Sequence, residues 1–168
     1  MAEPEENQEQ LIWRHIKACD TAMLVTTGAD GTFDARPMGC VQPEFDGELW
    51  FLASRRSPKL REIAGDWRVM VIYVQSGKHE YVTLNGKARE VDDPEKKREL
   101  WTEIARLWFP KGVEDPDLTI IAIEVDHAKA WLSWSSSVVS YGAAYLKSRL
   151  TGRKPAPSDL GEVKEFEL

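Results

Sequence analysis

Residues 22–41 read AMLVTTGADGTFDARPMGCV, and the fold depends on how this stretch divides. Two runs rich in apolar and β-branched residues, 22–27 and 33–41, flank Gly28-Ala29-Asp30-Gly31. An Asp-Gly pair readily adopts the backbone of a tight hairpin, so the spacing predicts two antiparallel strands. Pro37 interrupts the second run. Proline cannot donate to a sheet ladder, so this strand must lie at an edge or carry a bulge.

The strand pattern continues outward from this hairpin. A strand over 48–54 follows the turn at Phe45-Asp46-Gly47, and 68–75 is a continuous apolar run of the kind buried on both faces. Residues 80–91 alternate Val82, Leu84, Gly86 and Ala88 with polar partners, and 119–125 and 129–134 complete the set. Helical spacing appears in few places. One helix spans 8–19, with Leu11, Ile12, Ile16 and Cys19 on one side, and a short one opens at Ser57-Pro58. A third starts at Asp93-Pro94 and carries Leu100, Trp101, Ile104, Ala105 and Trp108, and a last one, marked by Val139, Ala143, Leu146 and Leu150, stops at Thr151-Gly152. Strands do not alternate with helices, which argues against a doubly wound sheet. The fold class is mostly β: a closed or split β-barrel with peripheral helices. The 168 residues suit one domain over 1–150, followed by an extended surface tail over 151–168.

Composition removes several functions. A formal net charge of −6 opposes nucleic-acid binding, which needs a basic surface. The longest strongly apolar run, 69–74, is too short to cross a bilayer, and the acidic N-terminus has no apolar signal core. Cys19 and Cys40 lack metal-type spacing and read as reduced core thiols of a cytoplasmic chain. His15, His79 and His127 are scattered, and neither a nucleophile elbow nor a phosphate-binding glycine loop is present. Any chemistry is therefore expected to come from a bound cofactor.

Three segments suggest where it would bind. Arg36-Pro37-Met38 places a cation beside backbone groups that an interrupted ladder leaves unpaired, although an ordinary edge-strand proline explains it too. The strand 48–54 runs straight into Arg55-Arg56-Ser57-Pro58-Lys59, a helix start where, counted from Ser54, two hydroxyls and three cations fall within six residues. Helix N-termini with such neighbours grip phosphate, and a capped helix with solvated cations is the alternative. Trp101, Trp108 and Phe109 form an aromatic helix end, suited to a core, a flat ligand or a partner subunit.

In their order these segments resemble the general stress protein 26 group of the pyridoxamine 5′-phosphate oxidase-like split barrels, which bind flavin. The resemblance is carried by residues 22–27, Asp30-Gly31, Arg36-Pro37-Met38, 47–54, Ser57-Pro58-Lys59 and 86–93. It continues through Leu100-Trp101, Trp108-Phe109-Pro110, 115–118, Thr151-Gly152 and Leu160-Gly161-Glu162. It implies a homodimer with FMN, or FAD, in each of two clefts at the subunit interface. By carry-over, Arg36, Pro37 and Met38 run beside the flavin ring, and Phe51, Leu52, Ala53 and Ser54 line the ring and ribityl chain. Ser57 and Lys59 hold the phosphate, Trp108 and Phe109 lie on the neighbouring subunit's side, and Gln75 offers a polar contact. Two features depart from the group. The stretch 129–137 is rich in tryptophan and serine, and the C-terminus lacks the basic substrate-binding pattern of the true pyridoxamine phosphate oxidases. The expected function is a flavin-binding redox protein of the general stress type, not vitamin B6 oxidation. A flavin-carrying sensor without turnover, a deazaflavin-dependent reductase of the same fold and a plain interaction module are alternatives; haem lacks a well-placed axial histidine.

Overall fold

The computed structural model describes residues 7–132, 138–154 and 162–168. The elements in chain order are α1 (Gln8–Ile16), β1 (Thr21–Thr27), β2 (Phe33–Gly39), β3 (Glu48–Ser54), α2 (Pro58–Gly65), β4 (Arg68–Gln75) and β5 (Glu80–Val91). They continue with α3 (Pro94–Leu100), a 3-10 segment (Glu103–Leu107), β6 (Leu118–Leu132), α4 (Val138–Thr151) and β7 (Glu162–Glu167). The strands form one antiparallel sheet in the order β2-β1-β4-β5-β6-β3, with β7 added to β6. The sheet curls so that its ends, β2 and β3, approach each other, giving the mostly β split barrel that the sequence predicts. No helix among the described residues is long and apolar enough to cross a membrane.

The hairpin 22–41 forms as its turn chemistry dictates: Gly31 takes φ +81°, a left-handed conformation that costs glycine little, and Gly28 N–H bonds the Thr32 carbonyl at 2.8 Å. Pro37 pairs opposite Met23 on β2, which stands at one end of the strand order, so its missing N–H interrupts no central ladder. Ala22, Leu24 and Thr26 of β1 point into the barrel with Leu49, Phe51 and Ala53 of β3, Val71 and Tyr73 of β4 and Leu84 of β5. α1 packs Ile12 and Ile16 against the same core.

Four expectations change. The two strands expected over 119–134 are one strand, β6, with a bulge. Asn85 pairs with His127 but Gly86 with Val125, so Asp126 is the extra residue. At that point β6 changes its second neighbour from β3, along 118–124, to β7, along 127–132. The expected tail therefore contributes a seventh strand, anchored by buried Phe166. β4 is fully buried on one face only: Val69, Val71 and Tyr73 face the core, while Met70 and Ile72 on the other face are half-buried and Val74 is exposed. The fully buried run is instead at the start of β6, where Phe109 and Ala105 of the segment after α3 cover its outer face at Leu118. Finally, the helix begun at Pro94 stops at Leu100. Trp101 and Thr102 are extended, with ψ of 133° and 151°, and the chain resumes as a 3-10 turn. Ile104 and Trp108 thereby leave the core side and become exposed. The residues 133–134 of the expected last strand, and most of the Trp/Ser-rich stretch 129–137, lie outside or at the border of the described residues.

Candidate functional site

The end of β3 is held open by a small polar network. Ser54 Oγ donates to Asp117 Oδ2 at 2.6 Å, and the Asp117 carbonyl accepts from Arg55 N at 2.8 Å. This hydroxyl, followed by the Arg56 guanidinium 3.3 Å away, holds the Asp117 carboxyl below its usual range. The chain then turns: Ser57 Oγ donates to the Ser54 carbonyl at 2.6 Å instead of capping α2, which has no side-chain cap. Pro58 has no N–H to satisfy, so the first turn of α2 presents the Lys59 backbone N–H.

Next to this turn, β1, β2, β3 and the segment after α3 enclose a groove of about 480 Å³. Its floor is Pro37, Met38 and Gly39 on β2 with Leu52, Ala53 and Ser54 on β3. Lys59 stands at one end, and Ile104, Trp108 and Phe109 form a wall. Such a volume, with a mostly apolar lining and one cation, is that of a cleft for a flat ligand with an anionic end. Burial pushes the Lys59 ammonium below its ordinary value; the nearby Arg36 adds to this, and Glu62 opposes it.

Eight of the twelve residues proposed from the sequence line this groove: Pro37, Met38, Leu52, Ala53, Ser54, Lys59, Trp108 and Phe109. Four do not. Strand alternation turns Phe51 into the barrel core, away from Leu52 and Ser54. Arg36 is engaged with Thr26, Asp34 and Glu62. Ser57 spends its hydroxyl on the Ser54 carbonyl, and Gln75 donates to the His15 carbonyl at 2.6 Å, tying α1 to β4. Of the three cations around the turn, Arg55 pairs with Glu90 and Asp92 and Arg56 is exposed beside Asp117, so Lys59 alone of these faces the groove. The resemblance put Trp108 and Phe109 on the neighbouring subunit's side; here both line the groove of their own chain.

The groove also holds Asp20, Thr21 and Thr102, which no sequence signal marked, and Ile104, which the sequence marks only by its helical spacing. Asp20 and Thr21 arrive there because the β1–β2 register sets Thr21 opposite Gly39, two residues past Pro37. Thr102 and Ile104 arrive because α3 stops early. Among the described residues there is no cluster of histidine, cysteine and carboxylate able to hold a metal ion.

Residues 7–156 match the model of a family described as pyridoxamine 5′-phosphate oxidase like. No curated protein matches the chain. Solved structures do. The general stress FMN/FAD binding protein of the phytopathogen Xanthomonas citri is 29% identical, covering 77% of this chain and 92% of that one with a TM-score of 0.66. General stress protein 26 of Bacillus anthracis is 23% identical over 73% of this chain and 92% of its own, with a TM-score of 0.65. A Clostridium acetobutylicum protein related to general stress protein 26 of Bacillus subtilis, of the pyridoxinephosphate oxidase family, is 17% identical over 77% and 91%, with a TM-score of 0.66. The last two, at these identities, speak for the fold.

Proposed function

Because this chain belongs to the pyridoxamine 5′-phosphate oxidase-like family, we propose that its groove binds a flavin and that the bound flavin is the redox group of the protein. The observation that carries the proposal is the groove itself. An apolar floor of Pro37, Met38 and Leu52 and an aromatic wall at Trp108 and Phe109 meet a lysine at an uncapped helix start. FMN has the matching parts: a flat ring and one terminal phosphate. Lys59 and its backbone N–H would hold the phosphate, Ser54 and Ala53 the ribityl chain, and Pro37, Met38 and Trp108 the ring. Bound flavin supplies hydride and single-electron transfer; the chain supplies position and a mostly apolar surrounding. The FMN/FAD binding of the Xanthomonas citri relative supports the same assignment. FMN is preferred to FAD because, among the described residues, Lys59 is the one cation lining the groove and suits a single terminal phosphate.

A homodimer belongs to this reading. The outer sheet face at Val25, Met70 and Asn85 forms a second open basin of about 590 Å³, and Phe33 at its rim is 81% exposed. Trp108, beside the flavin groove, is 68% exposed. Uncovered apolar surface at two places suits a second copy. The direct experiment is to purify the protein, record its visible spectrum and titrate FMN, riboflavin and a deazaflavin. A yellow protein, or saturable FMN binding, is expected; no binding of any flavin would overturn the proposal. Mixing the loaded protein with NADH or NADPH then separates the two flavin readings. Bleaching of the flavin absorbance marks an oxidoreductase; unreduced flavin marks a carrier or sensor, a reading supported by Asp20 and Lys59 being the charged side chains along the groove.

A further inference from the structure

Behind the Lys59 end of the groove lies a charged cluster with no part in the contacts assigned to the flavin. Thr26, buried on β1, donates its hydroxyl to Glu62 Oε2 at 2.5 Å. The same carboxylate oxygen accepts from Arg36 Nη2 at 2.8 Å. Arg36 Nη1 donates to Thr26 Oγ1, and Nη2 also reaches Asp34 Oδ2 at 2.5 Å. The Arg36 and Glu62 side chains are 18% and 16% exposed, whereas Asp34 is 61% exposed. The Arg36–Glu62 pair is therefore the half-buried one, and it is screened less than an open surface pair.

Glu62 follows Lys59 by three residues on α2, one turn along the same side of the helix. Arg36 and Glu62 act on the Lys59 ammonium with opposite signs, although neither is bonded to it. Toward Lys59 the charges of Arg36 and Glu62 offset each other, with the exposed Asp34 a further, better-screened partner of the guanidinium, and Lys59 is the cation that lines the groove. The offset exists because Glu62 and Thr26 draw the guanidinium toward α2. Released, it would add a second cation close to the phosphate position, since Arg36 directly precedes Pro37 and Met38 of the groove floor.

We propose that Glu62 is a specificity-determining residue of the groove: it holds Arg36 back, offsets its charge, and so sets how strongly a ligand's terminal phosphate counts relative to its ring. This rests on the flavin reading. The quantity that reports it is the selectivity quotient, the riboflavin Kd divided by the FMN Kd, since the two ligands differ only in the phosphate.

The test measures both dissociation constants by flavin fluorescence in the wild-type protein, Glu62→Gln, Arg36→Met and the double variant. Gln keeps an acceptor for Thr26 and Arg36 while removing the charge and leaves the guanidinium only the exposed, better-screened Asp34 as ionic partner, so Glu62→Gln is expected to raise the quotient at least about fivefold. Arg36→Met leaves Glu62 unopposed and is expected to lower it by a similar factor. The double variant restores the charge balance and is expected to return within about twofold of wild type. Direct contact of Arg36 with the phosphate predicts otherwise: the double variant would stay as low as Arg36→Met, and that outcome overturns the inference. Should a single variant not fold, the double variant still decides, because it removes both half-buried charges together and strands neither. Glu44→Gln, at an exposed position, controls for net charge and is expected to leave the quotient unmoved. If the wild-type protein binds FMN saturably and Glu62→Gln leaves the quotient unchanged, this inference falls and the flavin reading stands; if the wild-type protein binds neither ligand, both fall.

Discussion

Lys59 shows what one residue acquires from its surroundings. In the sequence it is one of three cations around a helix start; in the folded chain it is the one of the three whose ammonium faces the groove. Replacing it by alanine is expected to weaken FMN about 10- to 100-fold, the range of a lost charge-assisted hydrogen bond, and riboflavin by less than about threefold. Equal losses in a fluorescence titration would contradict its role. The pH dependence follows from the same environment. Burial, and then Arg36, hold the free ammonium below its ordinary value, while a bound phosphate favours the protonated form. FMN affinity should be full below the pKa of Lys59 in the free protein and fall as pH rises through it; riboflavin affinity should stay flat over that range. Arg36 and Ser57 teach the complementary lesson. Spacing located them beside the groove, but Thr26 on the neighbouring strand and Glu62 on α2 engage Arg36, and the Ser54 carbonyl engages Ser57, so their polar groups are spent elsewhere.

Among the elements, β5 and β6 decide the shape of the barrel. Gly86 stands where the register shifts, and a Cβ there would overlap the Glu124 carbonyl and come within 2.9 Å of Ile123 Cγ2. Neither obstacle is a flexible side-chain tip, because the backbone carbonyl belongs to the paired strand. Gly86→Ala is expected to lower stability by about 1–3 kcal/mol, the usual penalty for overpacking, read from urea unfolding. The bulge at Asp126 leaves the second half of β6 to pair with β7. Phe166→Ala should cost about 3 kcal/mol if the site collapses little, and hydrogen exchange should show lost protection along 127–132 before the rest of the sheet. The α3 region was legible in part. Asp93 caps the helix as its sequence implies, accepting from Glu95 N and Lys96 N at 2.9 and 3.2 Å. The stop at Leu100 was not legible, since Trp101 to Trp108 keep helical spacing; burial of Ala105 and Phe109 over Leu118 outweighs that local preference.

At the scale of the whole molecule, the chain leaves apolar surface at Phe33, Ile104, Leu107 and Trp108. Sedimentation equilibrium is expected to give twice 19.1 kDa, and the pair Ile104→Glu with Leu107→Glu should shift the population toward monomer and weaken flavin binding together. A monomeric wild-type protein would count against an interfacial site. The sequence by itself determined the β class, the existence of the hairpin, and the bounds of β3, β4 and β5 to the residue, because strand alternation, turn glycines and proline constraints act over a few neighbours. The tertiary structure alone decided the rest. Which face of β3 looks into the groove, which cations are already paired, and how Asp20, Thr21 and Thr102 come to line it depend on strand register and burial. Those are set by contacts between residues far apart in the chain, on which local spacing carries no information.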